Sequence, residues 1–279
     1  MKKIEFSKTL IMGILNTTPD SFSDGGRFFD KEKAILHGIQ MVKDGADIID
    51  IGGESTRPFA KPVPLDEEIN RTIPVIKGLS QKISVPISID TTKAKVAQLA
   101  IESGASIIND ISALRFDKDM IKVALQYNTF VILMHMKGTP QDMQSKEPLY
   151  NDLIGEIKAF LKIQADFAQA NKIDKSKIII DPGIGFGKTF RDNFVIIKNL
   201  RQFKDLGFKI LIGPSRKAFV RNALEQKFNM PQKSIEPESL EVELGTQACI
   251  CASVLNGANI VRVHNVKNTM ATLAIINQI

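Results

Sequence analysis

Short apolar runs punctuate the chain at 9–16, 48–53, 86–90, 106–110, 130–135, 178–181, 209–215 and 259–264, and nearly every one ends in a polar or charged residue. The runs are near-continuous Ile, Val and Leu rather than alternating, as in parallel strands buried on both faces. Segments of helical character lie between them. Ala34, Ile35, Gly38, Ile39 and Val42 share one face of a helix expected over 31–44, with Asp30 as its N-cap and Gly45 as its terminator. Leu153, Ile157, Phe160, Leu161 and Ala168 repeat the pattern over 151–170. A short helix fits 93–103, and two helices with a polar linker at 229–240 fit between the last two strands. A final helix over 267–278 is expected to turn Met270, Leu273 and Ala274 inward. Strand and helix in regular alternation predict an α/β fold, a single (β/α)8 TIM barrel occupying 1–279 as one domain.

In such a barrel the chemistry gathers at the C-terminal ends of the strands. Those ends carry Asn16, Asp90, Asn109, Asp181, Lys217, Arg262 and His264. Three loops that follow strands, 17–29, 54–64 and 135–149, are long enough to act as lids or binding loops over that rim.

Bulk properties narrow the function. With 37 basic and 31 acidic residues the formal net charge is +6, a mild excess that suits anionic small molecules. No dense Lys/Arg stripe interleaved with aromatics is present and Trp is absent, which argues against a nucleic-acid partner. Lys2 and Lys3 precede an apolar run that starts only at Thr9 and leads into Asn16-Thr17-Thr18-Pro19, a poor match to a signal peptide. No apolar stretch approaches the ~18 residues needed to span a membrane. Cys249 and Cys251 stand two apart in a helical segment, point in different directions, and are expected to be reduced core residues of a cytoplasmic protein.

Arg262-Val263-His264 places Arg262 and His264 on the same face of the last strand. Together they are suited to clamp an anion, because a guanidinium matches phosphate oxygens in bidentate fashion; the alternative is a structural ion pair at the barrel mouth. Asp181 precedes Pro182-Gly183-Ile184-Gly185-Phe186-Gly187-Lys188, which looks like a Walker A loop but has Pro182 where the first Gly belongs. Its glycines are better suited to bringing backbone close to a flat ligand. Asp90, Asn109 and Asp181 would ring an interior pocket, where a carboxylate must be paired or ligand-bound. A heterocycle with a guanidine-like edge suits Asp181, and two charge-assisted hydrogen bonds of ~1.5–3 kcal/mol each would supply about two to four orders of magnitude in affinity. Structural caps on strand ends are the plainer alternative. Lys217, beside Arg216 at a helix start, is placed for hydrogen bonding rather than for Schiff-base chemistry. His37, His135 and His264 show no paired-ligand spacing for zinc. Magnesium held mostly by substrate phosphates and one protein oxygen is compatible with these residues.

The ordered set of motifs closely resembles the dihydropteroate synthase family. The matching stretches are Gly13-Ile14-Leu15-Asn16-Thr17-Thr18-Pro19-Asp20-Ser21-Phe22-Ser23-Asp24-Gly25-Gly26, Asp50-Ile51-Gly52-Gly53-Glu54-Ser55-Thr56-Arg57-Pro58, Ser88-Ile89-Asp90-Thr91, Ile108-Asn109-Asp110-Ile111, Met134-His135-Met136, Asp181 to Lys188, Ser215-Arg216-Lys217 and Arg262-Val263-His264. The resemblance spans almost the whole chain. It implies condensation of a dihydropterin bearing a hydroxymethyl diphosphate with para-aminobenzoate, and a homodimer. By that likeness Asp181 would hold the pterin's amino and ring N–H groups, and Asn109 and Asp90 its other edge. Lys217 would bond the ring carbonyl, and Arg262 would stack on the pterin and touch phosphate. Asn16 and His264 would bind the diphosphate, with the Asn16 oxygen also reaching Mg2+. Thr56, Pro58 and Phe186 would frame the aminobenzoate, and Asp24 and Arg57 would help close the first two loops. The likeness further implies that diphosphate leaves first and that the aniline nitrogen then attacks a delocalised cationic methylene.

The chain departs from the pattern at three places. Ala218 follows Lys217 where many members carry Ser, so the carboxylate of the second substrate would rely on the backbone N–H and the helix dipole there. Phe59-Ala60 stands where a Gly is common, and Asn265 replaces a frequent Asp. Two other readings share the Asp/Asn pocket: a pterin-binding methyltransferase barrel, and a pterin-binding paralogue without turnover. The first would not need the Asn16 loop, Ser215-Arg216-Lys217 and the Arg262/His264 pair together, and the second would be favoured by loss of a loop residue, whereas Asp24, Arg57 and Lys217 are all present.

Overall fold

A computed structural model describes residues 4–17, 27–56, 60–143 and 148–279. Eight parallel strands close in sequence order: β1 (Leu10–Asn16), β2 (Ile48–Gly52), β3 (Ile87–Asp90), β4 (Ile107–Asp110), β5 (Phe130–Met134), β6 (Ile178–Asp181), β7 (Lys209–Ile212) and β8 (Ile260–Val263). The described helices around them are α1 (Arg27–Lys43), α2 (Leu65–Ser80), α3 (Ala94–Glu102), α4 (Met120–Gln126), α5 (Leu153–Ala170), α6 (Phe190–Lys198), α7 (Ala218–Lys227), α8 (Leu240–Leu255) and α9 (Val266–Ile276). The (β/α)8 barrel read from the apolar runs is therefore present.

Alternation along each strand divides the core. Leu10, Met12, Ile48, Ile107, Ile132, Ile179, Leu211 and Ile260 fill the barrel interior. The intervening positions, such as Ile11, Ile49, Ile51, Ile89, Ile210 and Val261, pack outward against the helices. Both strand faces are thus apolar low in the barrel, which is why the runs lack visible alternation. Polar side chains replace the interior apolar ones from Asp50 and Ser88 upward, toward the C-terminal ends. The strands run toward that rim and the helices return from it, so β1 starts and α9 finishes on the opposite face.

Several strands are shorter than the runs. β3 starts after Pro86, which has no N–H to give a ladder. β7 stops before Gly213-Pro214, and β8 stops where the His264 N–H turns to Ser215 Oγ at 3.2 Å. The helix expected from residue 31 is already formed at Arg27, so Asp30 lies inside α1 rather than capping it. Gly45 does end that segment, with φ 108°. In α9 the inward residues are Val266, Thr269, Leu273 and Ile276, while Met270 is 41% exposed and Ala274 is exposed. The Asn265 side chain accepts the Asn268 N–H and starts the helix at Val266. Cys249 is buried as expected, but Cys251 is only half-buried, and both are free thiols.

Candidate active site

The strand-end residues converge as the barrel predicts. A small cavity at the barrel mouth is lined by Thr56, Asp90, Asn109, Ile111, Met134, Asp181, Phe186, Gly213, Lys217 and Arg262. Strand register explains the convergence: Gly52 pairs with Asp90 and Asp90 with Asn109, while Asn109 pairs with Ile132 and the next inward pair is Met134 with Asp181, so all of these positions face inward at the C-terminal end of the barrel.

Arg262 lies across the floor of this cavity. Its Nε donates to Asp50 Oδ2 at 2.6 Å and its NH2 group to Asp90 Oδ2 at 2.7 Å. Asn109 Nδ2 also donates to Asp50 Oδ2, at 3.0 Å. Burial works to lower the Arg262 guanidinium, but Asp50 and Asp90 outweigh it and the group is held above its ordinary value. The structural ion pair weighed as an alternative for Arg262 is therefore present in this structure.

Asp50 is fully buried, and its Oδ1 has no partner among the described residues. Sequence reasoning assigned it no role. The available signal was a carboxylate inside the otherwise apolar Ile48-Ile49-Asp50-Ile51, two residues below the rim. Ile111, Met134 and Gly213 were missed as well. Met134 could have been found from its parity with Asp181 across the β5–β6 register, and a Cβ at Gly213 would lie 3.6 Å from the Arg262 Cβ.

Asp181 is 7% exposed and accepts the Gly183 N–H at 2.7 Å. Burial raises its carboxyl above the usual range against the pull of Lys217, Lys188 and Arg262. Lys217 is pushed down to about 8 by burial, with Asp181 opposing. Its ammonium donates to the Ile184 carbonyl and stands 4.7 Å from the centre of the Phe186 ring. Ala218, the first residue of α7, is exposed at that helix N-terminus.

Burial lifts Asp90 to about 7; Arg262 opposes this, and Asp50, Glu68 and Asp110 add to it. The folded chain then keeps a proton that the unfolded chain releases. The stability linked to that proton is full below about pH 4 and is lost as pH rises through about pH 7. Asn is a permanent stand-in for the protonated carboxyl. Asp90→Asn is expected to gain on the parent protein in urea midpoint as pH rises from about 5 to about 8. A constant difference over that range would contradict a proton held at Asp90.

Asn16 ends β1 and is half-buried, and His264 lies just past β8. Neither lines the cavity. Ser215 Oγ accepts the His264 backbone N–H at 3.2 Å and lies 3.0 Å from His264 Nδ1, which fixes the ring at the rim. Asp24, Arg57, Pro58 and Phe59 lie outside the described residues. The base of the second loop is braced from below: Lys93 bridges Glu54 and the buried Glu68, and Arg71 donates to the Gly53 carbonyl at 2.8 Å.

Comparison with known proteins agrees with this geometry. A family profile described as pterin binding enzyme matches residues 12–264. The dihydropteroate synthase of Synechocystis sp. is 48% identical over 260 residues, covering 93% of this chain and 86% of that relative. The solved structure of Xanthomonas albilineans dihydropteroate synthase with 4-aminobenzoic acid superposes with a TM-score of 0.89 at 37% identity, covering 99% of this chain and 94% of that one. The same organism's enzyme in complex with 7,8-dihydropteroate gives a TM-score of 0.85 at 34% identity, covering 99% and 95%. The chain belongs to the pterin-binding enzymes, as a member of the dihydropteroate synthase family.

Proposed function

We infer that this chain joins 6-hydroxymethyl-7,8-dihydropterin diphosphate to para-aminobenzoate, giving 7,8-dihydropteroate and pyrophosphate in folate biosynthesis. The observation that carries this reading is the single cavity in which Asp90, Asn109, Asp181, Lys217 and Arg262 meet Thr56 and Phe186. Hydrogen-bonding groups for a pterin thereby adjoin an aromatic wall for a second ring. Asp181 takes the amino and ring N–H edge, Asn109 the opposite edge, and Lys217 the ring carbonyl. Thr56, Phe186 and the open N-terminus of α7 at Ala218 receive the aminobenzoate, with Pro58 completing that side.

In the reaction the bond between the methylene carbon and the diphosphate oxygen breaks, and its electron pair leaves on pyrophosphate. The aniline lone pair then forms the new C–N bond, and the nitrogen loses a proton to solvent. Asp50, Asp90 and Asp181 place carboxyl oxygens around the ring, where those that are ionised oppose positive charge developing on the methylene. His264 offers a ring N–H, and Arg262 its remaining N–H groups, to the departing anion. Asp24 and Arg57 belong to the same reading as loop residues that close over the substrates.

Magnesium fits the donor set at the rim. Among the described residues no group of three or more His, Cys, Asp or Glu could hold a metal ion. A hard cation carried mainly by diphosphate oxygens needs only one or two protein oxygens, and the Asn16 amide supplies one. When bound, Mg2+ would neutralise charge on the leaving group. The reading includes a cytoplasmic location, consistent with free cysteines and with no described helix long and apolar enough to cross a membrane. It also includes a homodimer, for which exposed Phe228, Leu240 and Leu244 around α7 and α8 offer apolar surface.

The test is turnover of the synthetic pterin diphosphate with para-aminobenzoate, read as pyrophosphate release and dihydropteroate formation. Both products are expected, and excess EDTA is expected to stop them. Pyrophosphate release without the coupled product would refute the condensation, and undiminished turnover in EDTA would refute the metal.

A further inference from the structure

Lys188 is 3% exposed, and nothing in the reaction above uses it. Its Nζ lies 2.9 Å from His135 Nδ1, 2.9 Å from the Phe186 carbonyl and 3.3 Å from the His135 carbonyl. Three polar groups thus surround the Lys188 amine, two carbonyl oxygens that accept from it and one imidazole nitrogen. Among the described residues no carboxylate pairs with it, and Asp181 and Asp192 act on it only through space. Burial pushes the lysine well below its usual value, and burial followed by the Lys188 charge pushes His135 down to about 2, so the imidazole is neutral and able to accept. Burying such a group is costly, and an apolar chain of equal length would fill the space. The cost points to a positional role.

The contacts of Lys188 identify what it positions. It ties the residue that follows β5 to the loop between β6 and α6, at the residue whose ring walls the cavity. One residue further on, Tyr150 Oη donates to the Gly187 carbonyl at 2.7 Å. Two consecutive carbonyls are thus held by side chains. The loop also lies flat on the segment after β5. A Cβ at Gly183 would come 1.9 Å from the His135 carbonyl, one at Gly187 would come 2.2 Å from the Lys137 carbonyl, and both glycines have positive φ. The Phe186 ring packs with Ile111, Met134, Met136 and Met143. Asp181, by contrast, is fixed by β6 itself.

We propose that Lys188 is a positioning residue for the second substrate: by gripping the Phe186 carbonyl from the end of β5, it fixes the ring against which the aromatic amine lies. The proposal rests on the functional reading above. It is tested by steady-state kinetics of the full chain as wild type, Lys188→Met, Phe186→Ala, the double variant and Tyr150→Phe. Lys188→Met is expected to raise KM for para-aminobenzoate about tenfold and to leave KM for the pterin diphosphate within about twofold, since small misplacements of an orienting group act on the substrate it orients. The double variant is expected to be no worse than Phe186→Ala alone. Unchanged KM values with a lower kcat, or equal rises for both substrates, overturn the proposal. If Lys188→Met does not fold, Tyr150→Phe carries the same test: a smaller rise confined to the aminobenzoate supports the loop clamp, and an unselective effect overturns it. A silent wild type would overturn the functional reading and the proposal with it, whereas an active wild type with unselective variants overturns the proposal alone.

Discussion

Asp181→Asn is expected to lower kcat/KM for the pterin diphosphate by about a hundredfold to ten-thousandfold, the equivalent of two charge-assisted hydrogen bonds. The carboxylate sits at the buried end of β6 with one oxygen already accepting the Gly183 N–H. An amide keeps one acceptor and turns a donor toward either that N–H or the pterin's own N–H groups. Either orientation sets donor against donor in a buried site, where an unmatched polar group is costly. The loss falls on the first substrate alone, because the aminobenzoate side of the cavity is formed by Thr56, Phe186 and the α7 terminus. Calorimetry with the pterin is the direct check. An unchanged affinity would exclude Asp181 from recognition. An equal loss of affinity for an aminobenzoate analogue in the presence of pyrophosphate would point to a collapsed pocket.

Arg262→Met carries the second large effect, and it acts on stability as well as on rate. Arg262 spans Asp50 on β2 and Asp90 on β3 with separate nitrogens, and Asp50 is fully buried. Removing the cation leaves buried carboxylates without their partner, a change that costs about 3–5 kcal/mol. Turnover is expected to be undetectable. Arg262→Lys is expected to restore only part of the stability, since a single ammonium cannot reproduce the two-pronged geometry. Asp50→Asn placed on Arg262→Met is expected to recover stability without recovering activity. Denaturant titration of these three variants and of Asp50→Asn alone measures this, and strictly additive losses would show that Asp50 and Arg262 are not coupled.

Much of the barrel was legible because a buried parallel strand leaves a run of β-branched residues that few other structures tolerate. The rim was legible because a polar residue ending such a run has to be explained. Asp90, Asn109, Asp181 and Arg262 announced themselves in that way, and the structure brings them to one cavity. What stayed hidden depends on register and on pairs distant in sequence. Asp50 is in mid-strand, and only closure of the barrel shows that Arg262, 212 positions away, reaches it. Lys188 looked like part of a failed nucleotide loop, and its contact with His135 needs β5 and β6 to be neighbours. In α9 Leu273 turns inward as expected, but Met270 and Ala274 do not, because apolar residues lie on both candidate faces and the inward one also carries the polar Thr269. Strand ends at Ile212 and Val263 were overrun because each run was carried on to a polar residue, Ser215 or His264, that lies past the last ladder bond.

The course of the chain has a practical side. Since the first strand enters and the last helix leaves on the face away from the cavity, a linker or a fused partner attached just ahead of β1 or just after α9 points away from the substrate entrance. Immobilised through such a linker after α9, the protein would present its pocket outward to the surrounding solution.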